Sequence, residues 1–182
     1  MKLLLTALTF FTLVFYGCNK NTTESNDKDE IFSYTSQYVV DNADYFRFST
    51  NQGSINPNTE YDIMFYHAMF TPPGAPDFVV VVDPRFKVKE GLSIAVLENK
   101  KLENVTEVPA TSSFIQDFVS KEGESYNENS QTHTISPKEK VYIVNTPDGK
   151  FPAFQITNYY GLINENELDI GIFTIEWKYL DD

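Results

Sequence analysis

Hydrophobic and polar positions along most of the chain follow the period of β-strands. From Ile31 onwards, runs rich in Tyr, Phe, Val, Ile and Thr are separated by short clusters of turn-forming residues, which is the pattern of strands joined by tight connections. The alternation is clearest near the C-terminal end, where Phe173 and Trp177 fall on one face and Thr174 and Glu176 on the other. The pattern predicts strands over residues 32–40, 44–49, 61–70, 77–83, 92–98, 131–136, 140–146, 150–158 and 170–180.

One connection between strands carries a specific turn signal. The apolar runs 141–144 and 154–156 are separated by a segment that contains Pro147, Asp148 and Gly149. Proline suits the second position of a type I turn, and glycine adopts the left-handed conformation that follows it. We therefore predict an antiparallel β-hairpin here.

Two other segments complete the prediction of the fold class. The run 78–82, a Phe followed by four Val, has no alternation, which is typical of a strand buried on both faces. Residues 113–119 fit a short helix and a short strand equally well. Because the predicted strands are many and the connections short, the sequence predicts one all-β, mostly antiparallel domain over residues 31–182.

The N-terminal residues have the pattern of a secretory signal. A single Lys2 is followed by an apolar run that ends at Phe15, and this run is too short for a spanning helix, which needs about 20 apolar residues. The segment Phe15–Cys18 resembles a bacterial lipobox, with a small residue directly before the chain's one cysteine. We expect residues 1–17 to be a signal peptide and Cys18 to carry the lipid anchor. The alternative is an ordinary signal peptide with an incidental cysteine.

Residues 18–30 are polar and lack apolar periodicity, so they are predicted to form a lipidated, flexible tether. Several acyl chains anchor a protein stably to a membrane without spanning it. The acidic stretch resembles a surface-export signal, although a plain solvated tether explains it as well. We expect an outer-membrane lipoprotein that faces the cell surface, with a periplasmic orientation as the alternative.

Charge and the absence of familiar motifs exclude several classes of function. The formal net charge is −12, and removal of the signal with Lys2 would leave −13. Such a surface repels nucleic acid. The sequence contains neither Gly-x-Ser-x-Gly nor His-Glu-x-x-His, the spacings of common hydrolases and zinc proteases. We expect a protein that is not an enzyme.

Two segments of the chain resemble a known family. They are residues 141–160, with the predicted hairpin and the pair Tyr159-Tyr160, and residues 61–65, which begin with Tyr61-Asp62. Both are similar to the HmuY family of haem-binding lipoproteins from Bacteroidetes, and the resemblance extends over roughly residues 34–180. It implies an all-β, mostly antiparallel fold. It also implies a haemophore that takes haem from host haemoproteins and passes it to an outer-membrane haem receptor.

In that family the axial ligands of the haem iron are His or Met side chains that lie before the C-terminal hairpin. The corresponding stretch here, near residues 126–129, contains neither. Two hypotheses therefore stay open. The chain either binds haem or a related tetrapyrrole for iron acquisition, or has the HmuY-like fold without haem and acts as a surface interaction or accessory module.

Few side chains in the mature sequence could bind haem iron, which accepts His nitrogen or Met sulfur. Met64, His67 and Met69 lie close together in one predicted strand, and His133 begins another. On a strand, His67 and Met69 share a face with Tyr61, Ile63 and Phe65. That aromatic face could contact a flat macrocycle, or it could simply be core. His133 has polar neighbours, which favour an exposed position. A His67–His133 pair is the most economical two-histidine site.

Overall fold

The protein is an all-β fold in a computed structural model, which describes residues 30–40, 42–71, 74, 76, 81–164 and 167–181. Every pairing between its strands is antiparallel, as the sequence predicted. No helix in these residues is long and apolar enough to cross a membrane. The strands are β1 (Phe32–Thr35), β2 (Ala43–Arg47), β3 (Gln52–Ser54), β4 (Ile63–Phe70), β5 (Val81–Val88), β6 (Ser93–Glu98), β7 (Ile115–Gln116), β8 (Tyr126–Asn129), β9 (Thr134–Pro137), β10 (Lys140–Asn145), β11 (Phe151–Asn164) and β12 (Glu167–Leu180).

The strands form two sheets and a separate hairpin. The larger sheet has six strands in the order β1-β12-β11-β10-β6-β7, and the smaller has four in the order β3-β2-β4-β5. Strands β8 and β9 pair only with each other. Aromatic side chains from both sheets fill the main core, since large rings bury the most apolar area per residue. Its largest fully buried members are Trp177, Tyr142, Tyr159, Phe46, Phe48, Phe65, Phe86, Phe154 and Phe173.

The outer face of the six-stranded sheet carries a second, smaller core. Val141 and Ile143 of β10 pack there against Leu102, which lies in a short 3-10 helix. The amide of Leu102 donates a hydrogen bond to the Gln155 side chain at 3.1 Å. Strand β10 is therefore buried on both faces, as its burial pattern shows. The sequence predicted such burial for residues 78–82, most of which lie outside the described residues.

The predicted hairpin between β10 and β11 is confirmed. The turn joins the two strands through residues 146–150, and the amide of Gly149 donates to the carbonyl of Thr146 at 3.0 Å. Gly149 has a φ of +74°, in the left-handed region that glycine adopts without steric cost. The turn thereby sets the register of two central strands, Tyr142 opposite Phe154.

Other strand predictions differ from the structure at their ends. Strand β1 stops at Thr35, and residues 113–119 divide between a 3-10 helix, Thr111–Ser113, and the two-residue strand β7. Strands β3 and β8 were not predicted, because they are too short to show a period, whereas the strand alternative for residues 113–119 is correct at β7. The strand predicted from residue 131 begins only at Thr134, since the Asn129 side chain accepts hydrogen bonds from the amides of residues 131 and 132 and holds a turn.

Candidate functional site

The candidate site is built around His67 in strand β4. Alternate residues of this strand, Ile63, Phe65 and His67, are buried on the face that packs against the six-stranded sheet. The shared face that the sequence predicted is therefore present. The His67 ring lies 6.1 Å from the ring of Phe173, and only 9% of the residue is exposed.

The imidazole of His67 lacks a hydrogen-bond partner within the part of the chain that the structure describes. Both Nδ1 and Nε2 are buried, and neither bonds any of the residues that the structure describes. Leaving a buried polar group unpaired costs about 1–3 kcal/mol. Such a cost persists mainly where another function requires the group, so this ring is the strongest candidate for ligand binding among the predicted residues.

Burial also controls the protonation of this ring. Desolvation lowers the pKa of His67 to about 4, although the carboxylates of Asp83 and Asp169 oppose the shift. The imidazole is therefore neutral at physiological pH. A neutral imidazole keeps a lone pair free, which is the form that binds a metal.

The polar groups near His67 are engaged with one another. Asp83 is fully buried and accepts hydrogen bonds from the Tyr126 hydroxyl, at 2.7 Å, and from the Arg85 side chain. The Tyr159 hydroxyl bonds the carbonyl and the hydroxyl of Ser125, at 2.9 and 2.8 Å. Because these partners already satisfy each other, they leave the imidazole unpaired. No sequence pattern indicated this cluster, since Asp83 and Tyr126 are 43 positions apart.

The other three predicted residues occupy different surroundings. Met69 shares the face of His67 but is 57% exposed, at the end of β4. Met64 is half-buried and alternates onto the opposite face of the same strand. His133 lies in the turn between β8 and β9 with a φ of 55°, and its side chain is 81% exposed, 3.4 Å from Glu128. The structure thus places His67 and Met69 on one face, and His133 has no contact with His67.

This face of β4 offers some of the side chains that could bind haem iron. It offers one neutral, unpaired imidazole and one exposed thioether, and both atom types ligate haem iron. The ring of Phe173 adjoins the imidazole, and the rings of Phe65 and Tyr159 lie 4.8 and 5.3 Å from Phe173. The described residues contain no cluster of three or more His, Cys, Asp or Glu that could hold a bare metal ion.

Comparison with known proteins identifies the fold. Apo PinO from Porphyromonas gingivitis superimposes with a TM-score of 0.52 at 10% identity, over 84% of this chain and 98% of that one. A Bacteroides fragilis protein assigned as a lipoprotein gives 0.51 at 13% identity, over 86% and 93%. The apo HmuY analog of Tannerella forsythia gives 0.49 at 11% identity, over 86% and 100%. The chain shares the fold of apo PinO and of the Bacteroides fragilis protein, and the solved structures that are similar to it include an HmuY analog.

The sequence resemblance to HmuY is therefore confirmed at the level of the fold. No family model matches the chain, and no curated protein matches it in sequence. Identities of 10–13% are too low to assign ligand-binding residues in this chain by alignment with these structures.

Proposed function

We propose that this protein is a membrane-anchored lipoprotein that binds haem or a related tetrapyrrole through His67, in a role that is not enzymatic. The observation that carries the proposal is the buried, neutral and unpaired imidazole of His67. Haem would be taken from host haemoproteins and passed to an outer-membrane receptor, as the resemblance to the HmuY family implies. The HmuY-like fold supports this role, and experiment must identify the ligand.

Coordination would remove the energetic cost of the present arrangement. An iron–nitrogen bond would satisfy one ring nitrogen that has no partner in the described structure. Because His67 is only 9% exposed, binding requires the end of the sandwich beside it to open. Met69, on the same face of β4, is 57% exposed at that end. Local rearrangement at a binding site is common in regulatory and carrier proteins.

The second axial ligand has two candidates. Met69 lies on the same face of the same strand, where alternate residues are about 6.6 Å apart. Axial donors on opposite sides of an iron must approach within about 4 Å, given bonds of roughly 2 Å, so the Met69 side chain would have to turn towards His67. His133 is exposed on a hairpin that the Tyr160 hydroxyl joins to β11 through the Ile135 amide, at 2.8 Å, and it would approach only if that hairpin moved.

Absorption spectroscopy tests the proposal directly. Titration of the mature protein in detergent with haemin should give a sharpened and shifted Soret band. The His67→Ala variant should bind at least about tenfold more weakly, the factor that 1.4 kcal/mol represents. Single Met69→Ala and His133→Ala variants report which residue is the second ligand.

Comparison of the two histidine variants shows which histidine binds the iron. If His133→Ala behaves as the wild type while His67→Ala loses the shifted band, His67 is the ligand. A wild-type spectrum equal to the sum of protein and haemin would instead favour a HmuY-like module that binds no haem and acts through surface interactions.

The anchor is tested at Cys18, which lies outside the described residues. The lipobox resemblance, together with a fold neighbour assigned as a lipoprotein, supports attachment to the outer membrane. Cys18→Ser should move the protein from the membrane to the soluble fraction, because no acyl chain can then be attached. A Thr23→Ser variant in the tether should remain with the membrane. Recovery of Cys18→Ser in the membrane at the wild-type level would contradict the anchor, and protease treatment of intact cells would decide which way the protein faces.

A further inference from the structure

A cleft lies at the end of β4 away from His67. It has a volume of about 220 Å³ and forms where the two sheets meet. On the side of the four-stranded sheet, the cleft is lined by the end of β2 and by the segments that precede β4 and follow β5. On the side of the six-stranded sheet, it is lined by the β10–β11 turn and the end of β12. Both segments that resemble HmuY contribute residues to this cleft. The charged and aromatic groups around the cleft are Arg47, Tyr61, Asp62, Lys89, Asp148 and Tyr179.

Most charges around this cleft are paired. Lys89 contacts Glu60 at 3.0 Å, and Lys150 lies 3.8 Å from Asp148. Arg47 is different, because its side chain makes no ion pair and donates no hydrogen bond within the described part of the chain. An unpaired guanidinium presents a planar set of donors that matches a carboxylate.

Asp62 is the negatively charged residue of this cleft whose hydrogen bonding is incomplete. One of its oxygens accepts the Phe48 amide at 2.9 Å, and the other accepts no hydrogen bond from the residues described. Burial raises the pKa of Asp62, and this effect outweighs the opposing influence of Arg47 and Lys89. The hydrogen bond and the positive charges around the carboxylate therefore do not fully replace the water that it lost on burial.

The remaining walls are apolar and aromatic. Phe48 and Leu92 are buried beneath the cleft, and Tyr61 and Tyr179 stand at its sides. Burial raises the pKa of Tyr179 to about 12, so this phenol is a neutral donor at physiological pH. The volume is below the range of about 300–1,000 Å³ that drug-sized ligands occupy, so the occupant must be small.

We propose that this cleft binds a free α-amino acid as its zwitterion. The ligand carboxylate would bind the Arg47 guanidinium, and its ammonium would bind the open oxygen of Asp62. An apolar side chain would lie against Tyr61 and Tyr179. A zwitterion is the ligand class that would pair with Arg47 and with Asp62 at the same time. A simple anion would meet the carboxylates of the cleft, a simple cation would meet Arg47, and a neutral sugar would leave both charges uncompensated.

Calorimetric titration with charge-blocked derivatives tests the inference. The mature protein in detergent is titrated with L-alanine, L-phenylalanine, N-acetyl-L-phenylalanine, L-phenylalaninamide and D-glucose. We expect at least one of the two free amino acids to bind. Each blocked derivative should bind at least about tenfold more weakly than L-phenylalanine, because it has lost one charge-assisted contact. Glucose should give no heat of binding.

Arg47→Gln is the decisive variant. Its side chain has no described partner, so the substitution should leave the fold intact while weakening amino-acid binding at least about tenfold. Lys100→Gln, which removes an exposed positive charge elsewhere, should bind as the wild type. Asp62→Asn should also weaken binding, and its melting temperature reports whether the contact with the Phe48 amide survives.

Three results would overturn the inference: no binding of either free amino acid at millimolar concentration, equal binding of the blocked derivatives, or unchanged binding by Arg47→Gln. The Soret titration of Arg47→Gln should match the wild type, because His67 lies at the other end of β4. The amino-acid site and the haem site can therefore fail independently of one another.

Discussion

Acidification from pH 7 to about 4 should destabilise the wild-type protein by about 3 kcal/mol more than it destabilises a His67→Leu variant. Burial lowers the pKa of His67 from 6.5 to about 4 in the folded state. In the unfolded chain the ring is solvated and takes up a proton as the pH falls through 6.5. The folded ring does so only near pH 4, and each pH unit between the two values costs about 1.4 kcal/mol.

The sign of this effect can be checked at both ends of the range. Above pH 6.5 the ring is neutral in both states, so protonation contributes nothing to stability. Below that pH the unfolded state binds more protons than the folded state, and stability decreases with falling pH until the folded ring also titrates. The carboxylates of the protein add their own acid dependence, which both variants share and which cancels in the comparison.

Denaturant unfolding at a series of pH values measures the difference. At pH 7 the His67→Leu variant should be as stable as the wild type or more stable, since it removes two unpaired buried nitrogens. The matched control is His133→Leu, because the His133 side chain is 81% exposed and should follow the wild-type curve. Parallel curves for the wild type and His67→Leu would mean that the imidazole is solvated, and the candidate haem ligand would lose its physical basis.

Gly53→Ala should cost about 3 kcal/mol, the upper part of the usual range for an overfilled core. Gly53 lies in β3, at the edge of the four-stranded sheet. A Cβ built there would overlap the hydroxyl of Tyr34 and the carboxylate of Asp44. These two groups join the sheets, because Tyr34 in β1 donates to Asp44 in β2 at 2.6 Å.

The carboxylate of Asp44 has little freedom to move aside. It is fully buried and also accepts the Gln37 amide at 2.7 Å, while its second oxygen is unpaired. A methyl group at Gly53 must therefore displace β3 or break the contact between Tyr34 and Asp44. Either change leaves buried polar groups without partners, which costs more than the overlap itself.

A double-mutant cycle separates this mechanism from a general weakness of β3. Gly53→Ala should cost at least about 1 kcal/mol less in a Tyr34→Ala background, where the phenol has been removed. Gln52→Ala, at an exposed neighbouring position, should change the unfolding free energy by less than about 0.5 kcal/mol. Strictly additive effects at Gly53 and Tyr34 would show that the two side chains do not compete for this space.

The long strands could be read from the sequence because their signal is local. In strand β12 apolar and polar residues alternate from Phe173 to Tyr179, so its buried face was evident from Phe173 and Trp177. The turn at Gly149 was equally evident, since the conformations of proline and glycine depend on their own backbones. Strand β4 was predicted two residues too long at its start, where Asp62 instead accepts the Phe48 amide.

Short elements depended on partners far away in the chain. Strand β7 contains two residues and exists because Ile115 pairs with Ile94 of β6. No period can appear in so short a segment. His133 was assigned to a strand because its neighbours are β-formers, but hydrogen bonds to Asn129 hold it in a turn.

The sequence by itself determined the all-β class, the central hairpin, the buried face of β4 and the small set of side chains that could bind iron. Only the tertiary structure decided that the imidazole of His67 has no partner among the described residues, that Met64 faces away from it, and that Arg47 and Asp62 line one cleft. The reason is physical. Backbone period and turn preference arise within a few residues, whereas the solvation and hydrogen bonding of a side chain depend on groups that the fold brings from distant positions, such as Asp83 and Tyr126.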